Sequence, residues 1–386
     1  MRQKIVQAVR RGQSRRAVAR RFNVSERFVR YWYQRAGNKR IDRVKLTDRR
    51  TTRLATHNRT GPEIERCVIG LRKYLKAKSA LGEYGAKAIY REMSDKNCPV
   101  IPSLRTINLI LKRNGCLDGK RRVPYEHPPS GWYLSDVASG AAELDSFDYV
   151  EDLRLEGVNG FVHIFNGISL HGGLACSFPV VQMTTDNTIK FLLEHWRQFG
   201  FPTYAQFDNS TIFTGSRHPN SIGKVIRFCL ELNVIPVFAP PRETGFQAKI
   251  ERYNGLWQKG VWERFHFRNH QHLTEQSRRY VEAFNYKNKD SIQSAPDRYE
   301  IPENYIFRYD NLTTIPPGEK IIFIKRTDDK GYANVLGNVW EVDNLWTNRL
   351  TRVEILLSKR IVNFYRLRRR DPSDQLLLKT KKYSLQ

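Results

Sequence analysis

Three carboxylates, Asp148, Asp208 and Glu251, stand where the sequence could put them to chemical use. Asp148 lies in an extended run, Asp208 follows the apolar run Tyr204 to Phe207 at a strand's carboxyl end, and Glu251 sits in a helix whose apolar side carries Ile250, Leu256 and Trp257. Intervals of 59 and 42 residues separate them, so only a fold can bring them together. Gathered at one sheet edge, they would repel by roughly 1 to 4 kcal/mol per pair at about 4 Å, a penalty that divalent cations remove. Oxygen ligands without His or Cys favour Mg²⁺ or Mn²⁺ over zinc. Two such ions, about 4 Å apart, activate a water or a 3′-hydroxyl on one side and steady the leaving oxygen on the other, the chemistry of phosphodiester hydrolysis and strand transfer. Spacing alone does not separate this trio from solvated surface acids.

The elements that must position these residues are legible between 140 and 265. Extended runs at 144–155, 161–168 (after an Asn159-Gly160 turn) and 173–182 precede a helix over 186–199 closed by Gly200 and Pro202. A strand at 203–207, a helix at 220–232, a strand at 234–238 and a long helix at 246–264 follow. Three antiparallel strands and then strands alternating with helices predict a mixed sheet covered on both faces, the element order of a ribonuclease H-like fold.

Charge is concentrated ahead of that region. The 386 residues carry 66 Lys and Arg against 39 Asp and Glu, a net charge of +27 that points to a polyanionic partner. Residues 1 to 60 hold 19 basic residues against three acids, more than half the surplus in under a sixth of the length. Ile5, Val6 and Val9, then Ala17, Val18 and Phe22, then Val29, Trp32 and Tyr33 recur at helical spacing, and Ser14 and Ser25 are placed as N-caps. The short break at Phe22 to Ser25 predicts a helix-turn-helix whose last helix, 25–35, would lie in a major groove. On it Arg27, Arg30, Tyr31 and Gln34 share the face opposite Trp32, and Arg and Gln suit bidentate contact with guanine and adenine edges; phosphate contact by a solvated face is the alternative. A helix near 62–77, the run Leu81 to Met93, and a helix capped by Ser103 with Leu104, Ile107, Ile110 and Leu111 inward predict a second helical DNA-binding module.

Beyond 270 a helix near 274–287 leads to short strands at 321–324, 339–342, 353–357 and 360–365, which read as a small β-barrel presenting Lys325, Arg326, Arg349, Arg352, Lys359 and Arg360 to phosphate. Residues 375–386 show little packing signal and read as frayed. The five cysteines are scattered without CxxC spacing, which argues against a zinc module or disulfide framework and fits a reducing cytoplasm. No run reaches the eighteen apolar residues of a membrane span, and the N-terminus has no signal-type apolar stretch.

The stretches Gln206-Phe-Asp-Asn-Ser-Thr-Ile-Phe-Thr-Gly-Ser-Arg-His-Pro, Gly223-Lys-Val-Ile-Arg-Phe-Cys-Leu-Glu-Leu and Pro236-Val-Phe-Ala-Pro-Pro-Arg-Glu-Thr-Gly-Phe-Gln-Ala-Lys-Ile-Glu-Arg-Tyr-Asn resemble the integrase-core DDE transposases of bacterial insertion sequences, relatives of retroviral integrases. The resemblance covers about 140–265 strongly, and the flanking modules are similar to that family's layout. It implies a ribonuclease H-like catalytic core, two Mg²⁺ (or Mn²⁺) ions, cleavage at element terminal repeats and 3′-end transfer into target double-stranded DNA by a homo-oligomer on DNA, at the nucleoid. Carried over by position, Asp208 and Glu251 are the second and third acids. Asp148 is the first, with Asp145 open as the alternative. Asn209 and Arg252 are supporting residues by analogy, and Arg242 and Lys249 are phosphate contacts or solvated charges. The family usually has Gly where Ser210 stands, which asks a tight turn beside Asp208 to accept a Cβ, commonly Asn-Gly where Gln247-Ala248 stands, and often Asp at Asn166.

The layout expected is a helix-turn-helix module at 1–38, a basic linker at 39–60, a second helical module at 61–118, a linker at 119–139, the catalytic core at 140–270, a helical connector at 271–315, a barrel at 316–370 and a tail at 371–386. A transposase is the leading reading. A catalytically inactive DNA-binding derivative of a transposase, or a nuclease without strand transfer, are the alternatives. Arg27→Ala and Arg30→Ala are expected to relax sequence preference in a binding-site selection; an equal loss of affinity on all DNA would assign the face to phosphate instead.

Overall fold

The computed structural model describes residues 1–48, 60–117, 130–155, 160–215, 221–241, 243, 245–308 and 320–383. Asn159 of the expected turn and Arg242 lie outside the described residues. The chain divides into two units, Met1–Glu63 and Ile64–Gln386.

In the first unit α1 (Arg2–Arg10), α2 (Arg15–Phe22) and α3 (Glu26–Ala36) close around Ile5, Ala8, Val18, Ala19 and Val29. Ser14 and Ser25 cap α2 and α3 as expected, their hydroxyls accepting from the amides of Ala17 and Phe28, both at 3.2 Å. Asn23, left-handed at φ 50°, ends α2 and makes the sharp turn between the two helices. Residues beyond Gly37 fold back on the bundle: Leu46 packs with Val6, Trp32 and Ala36, and Arg2 stacks over Trp32 while pairing with Asp48 at 2.7 Å.

The second unit opens with α4 (Pro62–Lys78), α5 (Ala86–Asp95) and α6 (Leu104–Arg113), packed around Val68, Ile89, Ile107, Ile110 and Leu111. Ser103 caps α6, but Leu104 is exposed rather than inward, because the first turn of the helix overhangs the three-helix core. A short helix, α7 (Ser135–Ala138), then leads into β1 (Leu144–Arg154), β2 (Phe161–Ser169), β3 (Ala175–Val180), α8 (Thr185–Phe199), β4 (Tyr204–Phe207), α9 (Thr211–Thr214), α10 (Lys224–Glu231), β5 (Ile235–Phe238) and α11 (Ala248–Trp257). Apart from the short helices α7 and α9, this is the element order read from the sequence. A π-helical turn over Gln258–Trp262 extends α11, and α12 (His270–Lys287) and α13 (Lys289–Gln293) follow.

The sheet is larger than expected. β1, β2 and β3 form an antiparallel meander, and β4 and β5 add in parallel beyond β1. The strands expected to close a separate C-terminal barrel instead continue this sheet: β6 (Lys320–Arg326) pairs parallel with β5, and β9 (Leu350–Leu356), β10 (Ile361–Arg366) and β11 (Leu377–Lys382) follow antiparallel, giving nine strands in the order β11-β10-β9-β6-β5-β4-β1-β2-β3. Among the described residues only β7 (Tyr332–Val335) and β8 (Asn338–Glu341) stand apart, as a hairpin. The reason is burial on both faces. Ile321 and Phe323 enter the core under α8 and α10, while Ile322 and Ile324 enter the core beneath Tyr133 and Phe246, so β6 behaves as an interior strand and satisfies the edge of β5. The tail expected to fray is tied down likewise, with β11 on β10 and Tyr383 buried. Of the cations assigned to a phosphate-binding barrel face, Arg326 pairs with Glu243 and Arg352 with Glu354, so part of that charge is spent internally.

Asp145 is 1% exposed, on the β1 face that packs against α8. Arg298 meets it with both guanidinium nitrogens, at 2.9 and 2.6 Å, and Trp196 Nε1 donates to it at 3.2 Å. Its oxygens are thereby committed to a structural pair. Arg298→Met leaves that carboxylate buried and uncompensated and is expected to cost about 3 to 5 kcal/mol in chemical denaturation, with Asp145→Asn added to it restoring part of the loss.

Candidate active site

The register of two parallel strands brings Asp148 and Asp208 together. Asp145 and Ser146 of β1 lie opposite Ala205 and Gln206 of β4, and continuing that pairing by two residues sets Asp148 level with Asp208, on strands about 4.8 Å apart. Because side chains at equal register in parallel strands point to the same face, the two carboxylates project side by side at the end of β4. Asp148 and Asp145 are three residues apart in one strand and therefore face opposite sides of the sheet.

The end of β4 is fixed from beneath. Gln206 is buried, receives the Tyr133 hydroxyl and donates to the Phe246 carbonyl at 2.8 Å. Beyond Phe207 the chain turns: the Ser210 amide donates to Asp208 Oδ1 at 2.9 Å, and the Ser210 hydroxyl caps α9. Ser210 has φ −59°, an ordinary extended value, so the residue that replaces the family's usual Gly meets no backbone strain. Asn209 donates to the Ala239 carbonyl and accepts from Lys325 Nζ at 2.6 Å, which ties the turn to β5 and to β6 of the C-terminal extension. Burial pushes Lys325 down to about 8.

Helix α11 covers the other side of Asp148. Ile250, Tyr253 and Trp257 are buried against the sheet and α12; the Tyr253 hydroxyl meets Ser177 Oγ at 2.8 Å, and Trp257 Nε1 donates to Ser277 at 3.0 Å. This anchoring aims Asn254 at the sheet, where it donates to Asp148 Oδ2 at 2.8 Å and accepts from Asn166 Nδ2 at 2.8 Å. Asn166 is itself the cross-strand neighbour of Asp148. Asn254 and Lys325 had no assigned role beside the acids in the sequence reading. For Asn254 the signal was present, since it lies three residues after Glu251 on the same side of a helix.

Burial, then the charge of Asp208, raises Asp148 to about 6, against the opposing hydrogen bond from Asn254. Burial raises Asp208 as well, offset by the Ser210 amide. Two half-buried oxygen donors that destabilise each other's charged form fit a hard divalent cation. Glu251 lies one turn before Asn254 and is exposed, and among the described residues no group of three or more His, Cys, Asp or Glu stands close enough to hold a metal ion. Lys249 and Arg252 emerge from the opposite flank of α11, away from Asp148. In the first unit, Arg27, Arg30, Tyr31 and Gln34 are all exposed on α3.

Residues 1–53 match the family described as a helix-turn-helix domain. No curated protein matches the chain. Among solved structures, the simian T-cell lymphotropic virus intasome in complex with the PP2A regulatory subunit B56 gamma aligns at 12% identity over 76% of this chain and 98% of that one, with a TM-score of 0.35. The catalytic core domain of HTLV-2 integrase in complex with magnesium aligns at 14% identity over 34% of this chain and 81% of that one, and that of BIV integrase at 14% over 36% and 80%, both with a TM-score of 0.26.

The raised Asp148 has a pH signature. Its carboxyl titrates near 6 when folded and near 3.9 when unfolded, so its favourable contribution is complete below about pH 4 and is lost as pH rises through 6. Asp148→Asn is therefore expected to melt at a higher temperature than the parent at pH 7.5 in a metal chelator, with the gap closing at pH 4.5; equal melting at both pH values would remove the electrostatic account.

Proposed function

We propose that this chain is a DNA transposase: a helix-turn-helix reader of element ends joined to a ribonuclease H-like unit that cuts DNA and transfers 3′ ends into a target duplex as a homo-oligomer. The observation that carries the proposal is the pair Asp148 and Asp208, level on adjacent parallel strands and half-buried in each other's field. The motifs around Asp208 and Glu251 support the same reading, as does the exposed basic face of α3 in a unit matching a helix-turn-helix domain.

Asp148 and Asp208 would hold a Mg²⁺ or Mn²⁺ ion, with Glu251 as the third carboxylate, drawn in from the rim of α11 when DNA is bound. Metal bound there supplies activation of a water or 3′-hydroxyl and stabilisation of the leaving oxygen. The protein's own contribution is positional. Asn254 fixes the Asp148 carboxylate, the Ser210 amide fixes that of Asp208, and Lys325 holds Asn209 and the turn that carries Asp208. Arg27, Arg30, Tyr31 and Gln34 would read base edges. The exposure of Glu251 favours a second reading, a catalytically inactive DNA-binding derivative.

A strand-transfer assay separates the two. Purified protein is mixed with a labelled duplex of the DNA flanking its gene, supercoiled plasmid and Mg²⁺ or Mn²⁺. The transposase joins labelled 3′ ends to plasmid, Asp208→Asn and Glu251→Gln lose the joined product, and Asn254→Ala lowers it about 10- to 100-fold. Folded protein that binds the duplex yet neither nicks nor joins it leaves the inactive reading.

A further inference from the structure

The second helical module does not stand off from the sheet. Arg264 donates to the Ser79 and Ala77 carbonyls, and Lys287 of α12 pairs with Glu83, so the end of α4 and the segment leading to α5 are fastened to the elements behind α11. Between the module and α11 this docking leaves a cleft of about 720 Å³.

Its walls are strongly one-signed. Lys87 and Arg91 enter from α5, and Lys249 and Arg252 from α11. None of the four has a hydrogen bond, ion pair or ring contact among the described residues, and the one acid on the wall, Glu83, is already neutralised by Lys287. The first amides of α5 open into the same cleft beneath Gly85, an N-cap without a side chain to occupy them, and add to its attraction for anions. Four cations on two facing helices suit several anionic groups in a row, as opposed to a single ion.

We propose that this cleft is a second, sequence-tolerant DNA site, in which Lys87, Arg91, Lys249 and Arg252 grip the sugar–phosphate backbone of a duplex between the second helical module and α11. The transposase reading supplies only the identity of the polyanion. The placement matters because α11 is shared. Lys249 and Arg252 project from one flank, while Asn254 projects from the other to Asp148, so a backbone seated in the cleft lies about one helix diameter, roughly 10 Å, from the acids.

The test is equilibrium binding of a random-sequence 30-base-pair duplex to the full chain in EDTA, across a salt series, for the parent and for Lys87→Gln/Arg91→Gln. Two lost phosphate contacts are expected to weaken binding roughly tenfold at moderate salt and to make the slope of log K against log salt shallower by about 1 to 2. Unchanged affinity and slope in a variant that melts like the parent would overturn the proposal, as would a loss seen only with an RNA duplex of the same length. Because no metal is present, the outcome is independent of catalysis: a chain that never joins DNA ends can still show the cleft, and an active one can lack it.

Discussion

Two carboxylates held side by side where water cannot fully screen them are the constraint on which this structure turns. Asp148 and Asp208 are level because β1 and β4 run parallel in a fixed register, and that register is enforced by apolar burial on both faces of the sheet. A slip of one residue would turn Asp148 toward the aromatic core and bring a core residue to the surface. The hydrophobic pattern of the strand thus aims the charge, and the surrounding amides of Asn254 and Ser210 hold it in place at a cost the fold covers elsewhere.

The C-terminal segment is part of that support. Its strands extend the central sheet from four-residue β5 outward, and through Lys325 they reach back to Asn209, one residue from Asp208. A segment that looked like a separate phosphate-binding module therefore contributes to the rigidity of the acid site. Its cations divide accordingly between internal pairs, such as Arg326 with Glu243, and those left facing solvent.

Helix α11 performs two tasks with two flanks. Its buried stripe of Ile250, Tyr253 and Trp257 fixes the rotation of the helix about its axis. Once that rotation is set, a side chain's position in the sequence decides whether it faces the acids or the cationic cleft. Asn254 and Arg252 are two residues apart in sequence, yet they leave the helix about 160° apart, Asn254 bonded to Asp148 and Arg252 lining the cleft.

Local signals in the sequence determined the first three helices and their serine caps, the order of the strands and longer helices between 144 and 257, and the placement of Asp208 at a strand end, because capping, periodicity and turn chemistry act over a few residues. The continuous apolar run Ile321 to Ile324 also carried information, since a strand of a small barrel alternates whereas a strand buried on both faces does not. Tertiary structure alone decided that Asp145 belongs to Arg298 while Asp148 faces Asp208, for the partner that claims Asp145 lies 153 residues away. It alone joined β6 to β5, linked Asn254 to Asp148 across 106 residues, and brought cations from α5 and α11 into one cleft. Such pairings depend on which surfaces meet once the core has closed, and no stretch of a few residues encodes that.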